Sequence, residues 1–167
     1  KGRIKKTEYF ISDKKGFIIQ LAKEILTKIV TAYKNGEKIA FRLNGTSDQD
    51  FIYLLKKYAN FDIADYSEFA IFYDYTKLVS RIKRYKDHPN YYLTFSRAED
   101  NDSVARSVLA LGGNVSIVFR DKLPKYWNGY KVINGDQSDL EMIYHKNVVL
   151  GLIAKGKAKF DTTGFVI

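Results

Sequence analysis

Continuous apolar runs recur along this chain at a spacing that leaves room for a helix between most of them. That rhythm constrains the fold more than any single motif. The runs are KIAFRL (38–43), FAIFYDY (69–75), YYLTFS (91–96), NVSIVFR (114–120) and VVLGLIA (148–154). A strand with one wet face alternates apolar with polar residues, whereas continuous runs belong to strands covered on both faces. Between the runs lie helical periods. From Asp13, the residues Phe17, Ile18, Leu21, Ile25 and Ile29 recur at helical spacing, and Asn35-Gly36 supplies the stop. Ser47 or Asp48 is placed to cap a helix carrying Phe51, Ile52, Leu55 and Tyr58. A basic amphipathic helix is predicted from Lys77 to Lys86, ended by Pro89. Asp102 or Ser103 caps another, with Val104, Val108 and Leu111 on one side and Gly112-Gly113 beyond its end. Strand, helix and strand at this spacing form βαβ units, whose right-handed crossovers yield a parallel sheet. The fold class is therefore α/β: a mostly parallel sheet of βα units, open or a partial barrel, with about five main strands.

The length of 167 residues suits one α/β domain over 1–167, preceded by a basic N-terminal arm at 1–12. A start at Lys1-Gly2 without an initiator Met is what part of a longer gene product would show. Cysteine is absent, so this chain itself carries no disulfide, thiolate zinc site or iron–sulfur cluster. No apolar run reaches the roughly 18–20 residues of a membrane span. The expected location is the cytoplasm, with no membrane partner.

The formal charge is +9 and is unevenly spread. Residues 1–38 hold ten Lys/Arg against four Asp/Glu. Such an arm attracts polyanions through counterion release. In parallel α/β folds the C-terminal strand edge is where ligands meet loop side chains. Reading off the predicted strand ends collects Arg42, Asn44, Thr46, Ser47 and Asp48 after the first, then Asp74, Tyr75 and Lys77 after the second. Ser96, Arg97, Glu99 and Asp100 follow the third, Arg120 the fourth, and Lys155 and Lys157 the fifth. Polar residues at a strand end can simply cap the next helix. A base after every strand points further, to an anionic ligand such as a nucleotide or nucleic acid, helped by helix N-termini at the same edge. On this reading DYTK (74–77) is polar because it faces a shared rim rather than the core.

Weaker signals surround that edge. Lys77, Arg81 and Arg84 lie at i, i+4, i+7 on one predicted helix and form a candidate phosphate-contacting face. Tyr9, Tyr75, Tyr91, Tyr126 and Tyr130 are candidates for stacking on bases. In LPKYWNGYKVINGDQSDL (123–140), WNG and NGD are turn signals. Asp136 and Asp139 are close enough in sequence to share a cation or a ribose hydroxyl, although Asp139 also suits the cap of a short helix at 140–144. AKGKAK (154–159) sets Gly156 between lysines but lacks P-loop spacing. His88 and His145 have no second ligand at metal spacing, so no metal site is assigned. For general acid–base work Asp48, Asp74 and Asp100 are available, and Asp48, Asp74 and Lys77 stand as the catalytic candidates. No cofactor follows from the residues.

The blocks RIKKTEYF (3–10), RLNGTSD (42–48), FYDYTK (72–77), YLTFSRAEDN (92–101), GGNVSIVFR (112–120), LPKYWNGYKVINGDQSDL (123–140) and VVLGLIAKGKAKFDTTGFVI (148–167) together resemble an uncharacterised family of phage and prophage proteins. The resemblance implies a phage-encoded protein acting in the host cytoplasm. Members of that family carry a cysteine-containing segment before the RIKKTE block. More loosely, the strand-then-YTK and strand-then-TFSR blocks are similar to those of radical S-adenosylmethionine barrels. That likeness implies a cluster bound outside this chain and a pocket at Arg42, Asp48, Asp74, Lys77, Ser96 and Arg97. Three functions follow as expectations. The first is a phage α/β protein binding a nucleotide or nucleic acid at its basic strand edge. The second is part of a radical S-adenosylmethionine-like enzyme. The third is a structural or interaction protein docked on a protein partner.

Overall fold

Asp13 separates two helices in the basic opening of the chain. Its Oδ1 accepts a hydrogen bond from Gly16 N at 2.8 Å and caps α2 (Lys14–Lys34), the helix that the sequence predicts from this residue on. Ahead of it the basic arm forms α1 (Gly2–Ser12), which has no buried residue. The computed structural model describes residues 2–167, so Lys1 of the arm lies outside the described residues. Among the described residues no helix is long and apolar enough to cross a membrane.

The chain divides into two compact units, 1–72 and 73–167, and the division falls inside a strand, β2 (Ala70–Thr76). In the first unit α2 buries Ile18, Ala22, Ile25, Ile29 and Ala32, whose spacing of three and four residues keeps them on one stripe. α2 is followed by β1 (Ile39–Arg42) and α3 (Phe51–Ala59). α3 adds Phe51, Ile52 and Leu55 to the buried set. The cap of α3 is Asp50, whose Oδ1 accepts from Tyr53 N at 3.2 Å, rather than Ser47 or Asp48. The reason is Asn44. Its buried side chain takes Ser47 Oγ at 2.8 Å and Gln49 N at 2.9 Å on Oδ1 and donates to Gln49 O, so NGTSD is wound into a loop before the helix can begin.

The second unit holds the rest of β2 and then α4 (Val79–Tyr85), β3 (Tyr91–Ser96), α5 (Asp102–Ala110) and β4 (Asn114–Phe119). A hairpin of β5 (Tyr126–Trp127) and β6 (Tyr130–Asn134) precedes α6 (Glu141–Tyr144) and β7 (Val149–Ile153). β1 neighbours β2, and from β2 the order runs β3-β4-β7-β6-β5, making seven strands in an open sheet. β3, β4, β7 and β6 are mutually parallel, with Ser96 opposite Ser116, Ser116 opposite Leu150 and Ile133 opposite Leu150, and β5 is antiparallel to β6. The α/β class and the mostly parallel sheet agree with the sequence. The two extra strands do not. WNG is a turn, as read, but Asn128 and Gly129 at φ +47 and +84 close a tight hairpin that turns its flanks into β5 and β6. These strands are too short, and too exposed, to leave a continuous apolar run.

One face of this sheet is apolar and carries α4 and α5, where Ile82, Phe95, Val108, Leu109, Val115 and Ile117 meet. On the other face Met142 and Leu150 pack with Tyr73, Tyr75, Tyr92 and Ile133. Gly151 is required at the middle of VVLGLIA because a Cβ there would lie 2.7 Å from Val132 Cγ1 and 2.8 Å from Leu123 Cδ2.

Within the second unit a charged group is fully enclosed. Asp74, Arg81 and Tyr91 are 0%, 3% and 3% exposed. Arg81 Nη2 donates to the Tyr91 hydroxyl at 2.6 Å, and that hydroxyl donates to Asp74 Oδ2 at 3.2 Å. A buried carboxylate is tolerated only while its neighbours compensate it. Arg81→Ala is therefore expected to cost about 3–5 kcal/mol of unfolding free energy. Tyr91→Phe, which keeps the ring and removes the relay, should cost about 1–3 kcal/mol. Urea denaturation of both variants measures this, and a cost for Arg81→Ala no larger than that of an exposed substitution would contradict the assignment.

Candidate functional site

β1 ends on Arg42, and the end of that strand opens on a cleft of about 600 Å³ inside the first unit. Three phenyl rings, Phe17 of α2, Phe41 of β1 and Phe51 of α3, line it together with Leu21, Ile25 and Leu43. Aromatic contacts hold these rings: Phe10 meets Phe17 and Phe51 edge-on, and Phe41 stacks on Phe72 with centroids 5.2 Å apart. Around this apolar lining stand Lys6 of α1, Lys23 and Lys28 of α2, and Arg42. The one acid in the lining is Glu24, whose Oε1 accepts from Gln20 Nε2 at 3.1 Å. The cleft thus combines a positive rim with a flat apolar lining, a pairing that suits a ligand with both a ring and an anionic group.

Of the ligand-binding and catalytic candidates that the sequence singles out, Arg42 alone lines this cleft. Its Nε donates to Asn44 O at 3.3 Å, while Asn44 and Ser47 are bonded to each other beside it, and Asp48 is half-buried in the same loop. Lys6, Lys23, Lys28, Phe17, Phe41 and Phe51 are not among those candidates. In the sequence Phe17 reads as core of α2, and the lysines read as part of a diffuse basic arm. Their convergence depends on how α1 and β1 meet α2, which periodicity does not reveal.

The remaining candidates belong to the second unit, and many of them already bind this chain. The reading of DYTK as a polar rim needs correcting. Asp74 and Thr76 are fully buried on one side of β2; Asp74 is held through Tyr91 and Arg81, and Thr76 Oγ1 accepts from Leu78 N at 3.0 Å at the start of α4. Tyr75, on the other side, donates its hydroxyl to Asp139 Oδ1 at 3.2 Å, and only Lys77 is exposed. Arg81 is likewise buried, so the face drawn through Lys77, Arg81 and Arg84 is not one exposed stripe. Tyr91, a stacking candidate, packs against Tyr85 and His88 inside the unit instead.

Arg97 is 4% exposed. Its Nε meets Asp102 Oδ1 at 2.5 Å, and Nη1 donates to Gly164 O and Phe165 O at 2.8 and 2.9 Å. Arg120 donates to Lys159 O and Asp161 O. Lys155 meets Asp136 at 2.7 Å. Ser96 is half-buried, and Asp100 and Lys157 are exposed. Asp136 and Asp139 are committed to different partners, Lys155 and Tyr75, and α6 begins after Leu140 without a side-chain cap from Asp139. Among the described residues no group of three potential metal-binding side chains occurs.

A family model described as Gene product 88 matches residues 1–167. The chain belongs to the Gene product 88 family. This agrees with the resemblance to an uncharacterised phage family and does not extend to radical S-adenosylmethionine barrels. No curated protein and no solved structure matches the chain.

Asp136 offers a direct check on one of these pairings. The hydrogen bond from Lys155, then that from Ile153 N, holds its carboxyl below the ordinary value of 3.8. A carboxyl depressed in the folded state stabilises the fold above its unfolded pKa, and that contribution is lost as pH falls toward the folded value. Lys155 is largely exposed, so the effect is screened and modest. The parent should lose stability relative to Asp136→Asn on acidification below about pH 4. Thermal unfolding of the two proteins over that range is the measurement, and identical pH responses would count against the pairing.

Proposed function

We propose that this Gene product 88 protein binds a nucleotide or a single-stranded segment of nucleic acid at the end of β1, in the cleft between α1, α2 and β1. The observation that carries the reading is the lining itself, four bases around three phenyl rings with a single acid among them. Phosphate groups would meet Lys6, Lys23, Lys28 and the planar, bidentate Arg42 guanidinium, while a base stacks on Phe17, Phe41 or Phe51. The volume of about 600 Å³ lies within the usual range of small-ligand sites and admits a nucleotide-sized group. The anionic ligand expected from the sequence is retained. Its place at the strand edge narrows to the end of β1, because there Arg42, itself bonded to Asn44 O, is joined by three lysines and three phenyl rings. The reading concerns binding and assigns no bond-breaking step.

The test is titration of fluorescent single-stranded DNA and RNA, and of labelled nucleotides, over a salt series. The variant Lys23→Ala/Lys28→Ala/Arg42→Ala should weaken binding by about tenfold or more. It should also flatten the salt dependence, by roughly 0.7 in log–log slope for each phosphate that is no longer neutralised. Lys83→Ala/Lys86→Ala, on the exposed side of α4, should leave the affinity within about twofold. Binding that survives in the folded triple variant, or falls equally in both, would refute the cleft as the site.

A further inference from the structure

β3 stops pairing with β4 at Ser96 and Ser116, and Arg97 N closes the ladder on Ser116 O at 3.0 Å before the chain turns away. The last part of β4 would then present open backbone groups on that side. Val166 and Ile167, at the end of the segment 161–167, fill that gap. Val166 forms a parallel bridge to Val118, Ile167 N donates to Val118 O at 3.1 Å, and Arg120 N donates to Ile167 O at 2.8 Å.

What holds this segment is almost wholly backbone recognition. Arg97 donates to Gly164 O and Phe165 O and Arg120 to Asp161 O, while Arg120 also holds Lys159 O of the preceding turn. Val166 alone among residues 161–167 has a fully buried side chain. The segment also prepares its own shape. Asp161 accepts from Thr163 Oγ1 at 2.7 Å and from Val166 N at 3.1 Å, and Gly164 takes a left-handed φ of +92. Leading into it, the 3-10 turn Gly156–Phe160 buries no residue and leaves Phe160 84% exposed. A self-shaped segment, read through its carbonyls by two arginines, joined to β4 by one bridge and tethered by an unburied turn, has the properties of a strand-addition ligand.

We propose that residues 161–167 are an exchangeable strand, and that the seat made by Val118, Arg97 and Arg120 accepts this segment from a second copy of the chain. The seat is complementary to the segment by construction, and a second copy presents the same segment with the same bonds available. In one molecule the tether holds the strand at an effective concentration of roughly millimolar, so exchange gains as protein concentration approaches that level.

The absence of cysteine provides a clean test. Val118→Cys is made in one preparation and Val166→Cys in another; paired positions on adjacent strands, about 4.8 Å apart, fall in the range a disulfide spans. The two are mixed and exposed to a thiol oxidant across a concentration series. Exchange predicts a disulfide-linked heterodimer beyond its statistical share, rising with concentration and suppressed by a synthetic peptide of residues 160–167. A statistical mixture from variants that keep the parent circular dichroism spectrum would overturn the proposal. Hydrogen exchange on the unaltered chain supplies a second reading in case Val118→Cys does not fold. The amide of Ile167 must open far more readily than those of Val115 and Ile117, and equal protection would also overturn it.

Discussion

A strand with parallel neighbours on both sides and side-chain layers on both faces has no contact with water through which to satisfy a polar group. β4 is that strand, and the second unit is arranged around it. β3 and β7 take its backbone groups laterally, while Val115 and Ile117 enter the layer under α4 and α5. On the opposite face Asn114 must be bonded because it is buried. It donates to Met142 O and His145 O and accepts from Val148 N, and so ties α6 and the start of β7 to the head of β4. At its far end the same requirement brings in Ile167 and the two arginines. The loops of this unit are placed where β4 leaves groups to satisfy.

Charge follows the same logic with higher stakes. Asp74 sits on the buried side of β2, where an unpaired carboxylate would cost several kcal/mol, by order of magnitude, whatever the packing around it. Tyr91 resolves this by bringing its hydroxyl to it from β3, and Arg81 of α4 donates in turn to that hydroxyl. A segment that reads as uniformly basic is thus split by function: Arg81 faces inward to the Tyr91 hydroxyl, while Lys83 and Lys86 stay in solvent. Hydropathy cannot separate these roles, since a buried arginine and an exposed one look alike in sequence.

The parts legible from the sequence are those fixed by local rules. The Asp13 cap, the stop at Asn35-Gly36 and the limits of β3 and β4 follow from capping chemistry and from runs whose length matches a strand. Sequence and structure part where one local interaction prevails over another. Asn44 captures Ser47, a candidate cap of α3, together with Gln49, and the Asn128-Gly129 turn makes strands out of flanks with no apolar run. The candidate site was only partly legible for a related reason. Arg42 ends a strand and is visible as a candidate on that ground, but Lys6, Lys23 and Lys28 become neighbours only when two helices and a strand are brought together.

The two units surround their positive charge differently. In the second unit Arg97, Arg120 and Lys155 are each bonded to a backbone carbonyl or a carboxylate of the same chain, so an incoming anion would first have to displace a bond already formed. In the first unit Arg42 also donates to a carbonyl of its own chain, but it shares one apolar lining with three lysines and a single acid. Bringing like charges together around an apolar hollow raises the free energy of the empty state slightly through mutual repulsion, and an anion that enters relieves it. The phenyl rings add a requirement that a bare phosphate would not meet. It is this combination, rather than the net charge of the chain, that separates a binding site from a solvated basic surface.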